Sequence, residues 1–370
     1  MITLDEITAI SYVIAQRFEK VNTYYLDLLA KQLKEIGTLS PEDLNTIEQM
    51  TKTGGNIDEI NKYLMMQTGL ALNDINALYL KVAKDIYKDV SYLYKAGNVE
   101  QPKFKENNRL QTYISSVQKL TQNTFINMAN TTVINKTYRD TIDFAVDAVL
   151  RGVGDYDKAI KKYVLDKSVN GARVQYASGL TRRLDSAARM NIMDGVRQVS
   201  NGIRKECGNQ YGADGVEIDA HGLCAEDHIK VQGKQYTLQE FEKVNDSLKR
   251  KIGTCNCRHQ ISYIILGVSE PAYSPEELQE LKEYSKEKIQ IKDREVTRYQ
   301  ASQLMRQTET SMRYKQDEIV ALKKTGVDIS KQEESLRNLK KTYYYISKRA
   351  GLRTRYDRAY VPGFDIKKFR

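Results

Sequence analysis

The chain has 370 residues, 41% hydrophobic and 29% charged, enough for two or three domains with a sizeable core and ordinary for a soluble, mostly helical protein. No run of about 18 apolar residues occurs, so no helical membrane span is expected. The first residues lack the basic-then-apolar order of a secretory signal, so the chain is expected in the cytoplasm with its thiols reduced.

The net charge of +10 is uneven: from 337 to 370 eleven Lys/Arg stand against two acids, Asp357 and Asp365, and the rest is close to neutral. A basic end on a balanced body points to a polyanion or an acidic protein surface as partner.

In chain order, apolar residues at helical spacing (Ile7, Ile10, Val13, Ile14, Phe18, Val21, Tyr25, Leu29, Leu33) predict a helix over 4–36 closed by Gly37. Ser40-Pro41-Glu42-Asp43 signals a second helix start, and Asn56 with Glu59 a third. Asn73 is read as the cap of a fourth, running through Tyr94 to Gly97. Helical pattern resumes over 107–135 and 138–151, breaks at Gly152-Val153-Gly154, and restarts at a cap, Asp155. A long helix or broken pair is expected over 174–205, with Gly179 and Gly195 as weak points.

Past Cys207 the texture changes. Gly208, Gly212 and Gly215 precede an alternating 216–220 segment that reads as a strand, 231–238 suits a short hairpin, 239–251 a helix or charged loop, and 257–268 a second strand. Ser274-Pro275-Glu276-Glu277 starts a helix, and helical sequence is expected from there to Thr325. Ser330 with Glu333 reads as a capping box for a last helix ending near Gly351. The expected fold is therefore mainly α: a multi-helix N-terminal region (1–205), a small α+β module (206–273) that alone holds a sheet, and a C-terminal helical hairpin with a basic tail (274–370).

All three histidines and three of the four cysteines fall between 221 and 259. Cys224 and His228, four apart, would share a helix face; Cys255, Cys257 and His259 alternate as on a strand. Around them stand Ala220-His221, Gln232-Gly233-Lys234, Asn256-Cys257-Arg258-His259 and Gly267-Val268-Ser269-Glu270-Pro271-Ala272-Tyr273. This order resembles the phage minor capsid protein 2 family, itself related to the Mu F-type head morphogenesis proteins. The chain departs from the family pattern at Ala225-Glu226 and at Cys255, which leaves Cys224 and Cys255 as local additions. The resemblance implies a non-enzymatic, low-copy virion component, added during head assembly in the host cytoplasm. It further implies a place near the portal, with portal and other capsid proteins as partners and contact with packaged DNA.

Three chemistries suit the cluster. Zinc takes Cys and His in tetrahedral sets, with His221, Cys224, His228, Cys257 and His259 as candidate ligands. Cys257 activated by His228 or His259 would make a thiol enzyme, and the alternative function is a zinc-dependent or thiol-dependent enzyme or effector carried in the virion. The third reading is a small core of packed thiol and hydrogen-bonded histidines, with no cofactor. Phosphate-binding glycine loops are absent, so nucleotide turnover has no support. Arg182, Arg183, Arg189 and Arg197 lie on one stretch that suits a solvated face as well as an anion site. In the tail, Lys340, Lys341, Arg349, Arg353, Arg355 and Arg358 interleave with tyrosines. That is the composition of a DNA contact without sequence preference, of a docking segment for an acidic protein, or of a disordered solubilising end.

Overall fold

A computed structural model describes residues 4–43, 55–151, 172–254, 257–324 and 328–365, with residues 45, 46, 49, 160, 163 and 164 between those stretches. The expected break at Gly152–Gly154, the cap Asp155, most of the helix expected after Ser40, the signature residue Asn256 and the local addition Cys255 lie outside them.

The N-terminal core is built by α1 (Leu4–Gly37), α2 (Gly55–Asp89), α3 (Ser91–Ala96), α4 (Asn108–Asn130), α5 (Ile134–Leu150) and α6 (Leu184–Tyr211). Their apolar stripes meet in one cluster that includes Phe18, Tyr25, Tyr79, Phe125 and Ile192, because residues three and four apart fall on one helix face. Asn73 lies within α2 rather than at a cap. One Asn costs a long amphipathic helix only tenths of a kcal/mol in propensity, roughly 0.7 at most, and the buried stripe around it decides.

Ahead of α6, β1 (Arg173–Gln175) and β2 (Thr181–Arg183) form a small antiparallel hairpin, where the sequence predicts helix. Gly179 (φ +79°) supplies the left-handed residue of its turn. Gly195 is no weak point. It sits inside α6, and a Cβ there would stand 1.5 Å from the Tyr79 hydroxyl. Its lack of a side chain lets α2 and α6 approach.

After Gly212 caps α6 in the left-handed conformation, β3 (Gly215–Ile218), β4 (Gln235–Thr237) and β5 (Ile261–Ile264) form an antiparallel sheet in the order β4-β3-β5. The helix α7 (Leu238–Ser247) starts on a capping box of Thr237 and Glu240. All of β3 is buried. Glu217 accepts from Gln235 Nε2 and from the backbone N of Ala272, each at 2.9 Å, which fastens the Gly267–Tyr273 loop to the central strand. The module sits on α6 through Tyr211, whose hydroxyl donates to Tyr263 O (2.8 Å), and through Arg204, which donates to Gln260 (3.1 Å).

C-terminal to the module, α8 (Pro275–Lys286) starts on the Ser274/Glu277 capping box. The next segment corrects the sequence reading: β6 (Lys288–Ile291) and β7 (Arg294–Thr297) form a hairpin inside the stretch expected to be helical, so strands are not confined to the module. The helices α9 (Arg298–Lys324) and α10 (Ser330–Ala350) pack as a hairpin over a core with Met312, Ile319, Leu336, Tyr343 and Ile346. Ser330 is the first residue of α10 rather than its cap, and its N–H is taken by the Asp328 carboxylate at 3.0 Å. Past Gly351 the chain folds back: Ala359 and Val361 are fully buried, and Gln316 holds the carbonyl of Ala359 (2.5 Å) and the N–H of Val361 (3.1 Å). A disordered end is thereby replaced by packed backbone over 352–364.

Arg183, at the end of β2, joins the two helical regions. It is buried and binds Glu19 of α1 (2.6 Å), Asp185 (3.0 Å) and Asp317 of α9. Arg313 reaches Asp185 from the other side at 2.5 Å. Three carboxylates against two guanidiniums leave one negative charge too many in a buried site. Burial together with Asp185 and Asp317 raises Glu19 to about 8 despite Arg183, so it holds a proton at neutral pH. Burial works against ionisation of Asp185 as well, but Arg183 and Arg313 prevail and hold it at about 2.

Candidate functional site: a buried Cys/His cluster

The cluster is formed where the segment leading into β5 crosses the turn after β3. Cys224 and His228 are not on one helix face: Cys224 lies in irregular chain and His228 opens a single 3-10 turn (His228–Lys230). Cys257 and His259 precede β5 rather than belonging to it, yet they keep strand-like alternation, buried on either side of an exposed Arg258. Arg197 of α6 fixes this segment by donating to Cys257 O at 2.6 Å.

Cys257 Sγ lies 3.3 Å from His259 Nδ1 and 3.8 Å from His228 Nδ1. The far nitrogens are both spoken for. His259 Nε2 is 2.9 Å from Gln232 Oε1, and His228 Nε2 is 2.8 Å from Arg250 O. Gln232 Oε1 also accepts from the backbone N of His221 (3.2 Å), which settles which end of the amide faces the ring. Both acceptors are carbonyl oxygens, so both rings carry their proton on Nε2 and turn the Nδ1 lone pair to the sulfur.

A neutral thiol has one proton and here faces two lone pairs. One response moves that proton toward His228: hydrogen bonding to Cys257 raises His228, and although burial opposes ionisation of Cys257, His228 and nearby backbone N–H groups bring the thiol below its ordinary value, while the His259 lone pair still faces the sulfur. The other is a cation. The ligand atoms of His228, Cys257 and His259 all lie within 4.8 Å of one another, and carbonyl groups fixing the far nitrogens are the usual support of histidine ligands. Burial, with the neighbouring His221 and His228, drops His259 to about 3, so it stays neutral and able to ligate.

The other predicted residues divide by role. His221 stacks on His259 at 4.3 Å between ring centroids, and its Nε2 is buried with no hydrogen-bond partner. Cys224 is a packed thiol, pushed up to about 12 by burial, and does not join the three-residue group. Gln232 orients His259, a role the spacing alone did not disclose. Gly233 (φ +68°) makes the turn into β4, where a Cβ would stand 2.1 Å from Leu278. Lys234 is exposed and contributes its carbonyl to Ile218 N (3.2 Å). Arg258 points away from the cluster into a cavity of about 140 Å³.

Of the tail cations, Lys341, Arg349 and Arg353 are exposed and Lys340 is half-buried. Arg355 is bound to Asp357 (3.1 Å), and Arg358 lies over Tyr12 of α1, 5.5 Å from the ring centroid. The six therefore do not share one solvated surface.

A mainly α chain carrying a three-stranded module with a buried Cys/His centre is the class that fold and site define. The family model for phage minor capsid protein 2 matches residues 5–345, so the chain belongs to that family. It is a structural protein of the phage head. No curated protein and no solved structure was found to match it. Among the described residues no helix is long and apolar enough to cross a membrane.

Proposed function

We propose that this chain is a low-copy, non-enzymatic component of the head, assembled next to the portal in the host cytoplasm and touching packaged DNA through its C-terminal cations. The observation that carries this reading is the family match across nearly the whole chain, joined by the basic excess of the last 34 residues. Lys341, Arg353 and Arg349, whose Nε also donates to Gln290 O at 3.2 Å, are the exposed members of the set that can meet a phosphate backbone, with Lys340 beside them, whereas Arg355 and Arg358 act mainly within the fold. Division into 1–205, 206–273 and 274–370 is part of the same proposal, supported by three apolar clusters that follow it except where Cys207, Tyr211 and Ala321 join the N-terminal one. Mass spectrometry of purified particles with cross-linking to portal tests it: absence from particles, or cross-links only to the distant shell, overturns it.

The one proton between two lone pairs favours a second reading of the Cys/His centre, as a structural zinc site of His228, Cys257 and His259 with His221 alongside. Zinc there would tie the turn after β3 to β5 in a module whose apolar cluster is small. The thiol-enzyme alternative gains no support from Cys257 and His259, both closed off from solvent.

A further inference from the structure

On the far side of the Cys257–His259 segment, six arginines converge on one open cavity of about 140 Å³: Arg189, Arg197, Arg258, Arg306, Arg313 and Arg358. They come from α6, the segment before β5, α9 and the folded-back tail, so all three regions of the chain build the site. Among the described residues Glu309 is the one carboxylate lining it, and burial raises that group while Tyr343 donates to it at 2.6 Å.

The fold itself answers only some of these cations. Arg313 is matched by Asp185, and Arg197 by Asp194 and Cys257 O. Arg189 and Arg358 lie over the Tyr12 ring, 5.1 and 5.5 Å from its centroid. The Nε atoms of Arg313 and Arg358, both shut off from solvent, have no acceptor. Arg258 and Arg306 have neither hydrogen bond nor ion pair among the described residues. Both are exposed, so an anion entering from solvent can reach them. Like charges gathered in a cleft focus a field that draws in an anion.

We propose that this cavity is a binding site for a compact phosphate anion of one or two phosphoryl groups, with Arg258 and Arg306 as its principal ligands. Charge density chooses phosphate over carboxylate. A cavity of about 140 Å³ has room for several waters, and so for a compact anion. A phosphoryl group brings about −1.5 to −2 charges into that volume, where a carboxylate brings one. Guanidinium forks fit phosphate oxygens two at a time. The source is either a free oligophosphate or the phosphate of a nucleic acid strand. The proposal stands on the cavity alone and does not depend on where the protein sits in the head.

The test is calorimetric titration of the full chain with inorganic diphosphate at fixed ionic strength. It is repeated for the double variant Arg258→Gln/Arg306→Gln and for a control, Arg139→Gln/Arg151→Gln, which removes two exposed arginines that do not line the cavity. Saturable binding, weakened about a hundredfold by the first variant and unchanged in the control, is expected. Without diphosphate the first variant should melt no lower than the parent, since it removes repelling charges that hold nothing in the fold. Absence of saturable binding, or equal weakening in both variants, overturns the proposal. Displacement of bound diphosphate by a DNA duplex assigns the source to nucleic acid; failure to displace it assigns a free oligophosphate.

Discussion

Thr23 Oγ1 donates to the carbonyl of Pro362 at 2.9 Å, joining positions 339 apart in the chain. Together with the Gln316 bonds to Ala359 and Val361, it makes the basic end part of the structure that α1 and α9 support. Deleting residues from 352 onward should therefore lower the melting temperature by about 5 °C or more. Burying Val361 and Phe364 is alone worth roughly 1.5 to 3 kcal/mol each. A truncated protein that melts like the parent would show the packing to be without consequence.

The buried carboxylates around Arg183 predict a pH dependence. Glu19 has its folded value raised from 4.5 to about 8, so its contribution to stability is full below about pH 4.5 and is lost as pH rises through about 8. Asp185, held at about 2, works the other way: its contribution is present above its ordinary 3.8 and is lost as pH falls through about 2. Between pH 5 and 8 the Glu19 effect governs this site. Denaturant midpoints should fall across that range, and more shallowly in Glu19→Gln, which mimics the protonated acid. Parallel slopes in the two proteins would refute the assignment.

In the Cys/His centre, Gln232→Leu should cost about 1 to 3 kcal/mol by leaving the Nε2–H of His259 without an acceptor. If zinc is present, elemental analysis should give close to one equivalent for the parent and a marked loss in Cys257→Ser. A parent preparation with less than about a tenth of an equivalent leaves the metal-free cluster of thiol and hydrogen-bonded histidines.

Gly195→Ala forces a methyl group against the Tyr79 hydroxyl, which Thr121 holds at 3.1 Å. Overpacking of this kind costs about 1 to 3 kcal/mol. The double variant Gly195→Ala/Tyr79→Phe should recover part of the loss, and chemical denaturation of the three proteins reads it.

For the proposed DNA contact, binding to duplex of any sequence should weaken with salt by about 0.9 decades per decade for each neutralised phosphate. Replacing Lys341, Arg349 and Arg353 by Ala should reduce that slope by about three contacts' worth, roughly 2.7, without unfolding α10. A triple variant that binds DNA unchanged but no longer enters particles would make this surface a protein-docking segment.

Helical periodicity made most of the fold legible, since Phe18, Tyr25 and Leu29 announce a buried stripe whatever lies opposite. Both small hairpins escaped it for a physical reason. Lys288 to Thr297 contains neither Gly nor Pro, and its two-residue turn uses Lys292 in the left-handed region (φ 51°), where glycine usually stands. The alternation of Ile289, Ile291 and Val296 was the available signal. In the site, Cys257 and His259 were legible from spacing and from the family pattern. Gln232 as the residue orienting His259 was not, because its partner lies 27 positions away. The arginine cavity was hardest to see. Arg306 and Arg313, seven apart, share a face of α9, but only tertiary packing brings them to Arg258 and Arg358.

A chain stitched from its final segment back to its first helix resists being drawn out by its C-terminal end. Tension applied there falls first on the Pro362–Thr23 bond and then on Gln316, whose side chain grips the backbone on both sides of Tyr360. Behind these lies Arg183, anchored at once to α1 and α9. Threading the polypeptide through a narrow channel would thus meet this clasp at the outset, and its release would part α1 from α9.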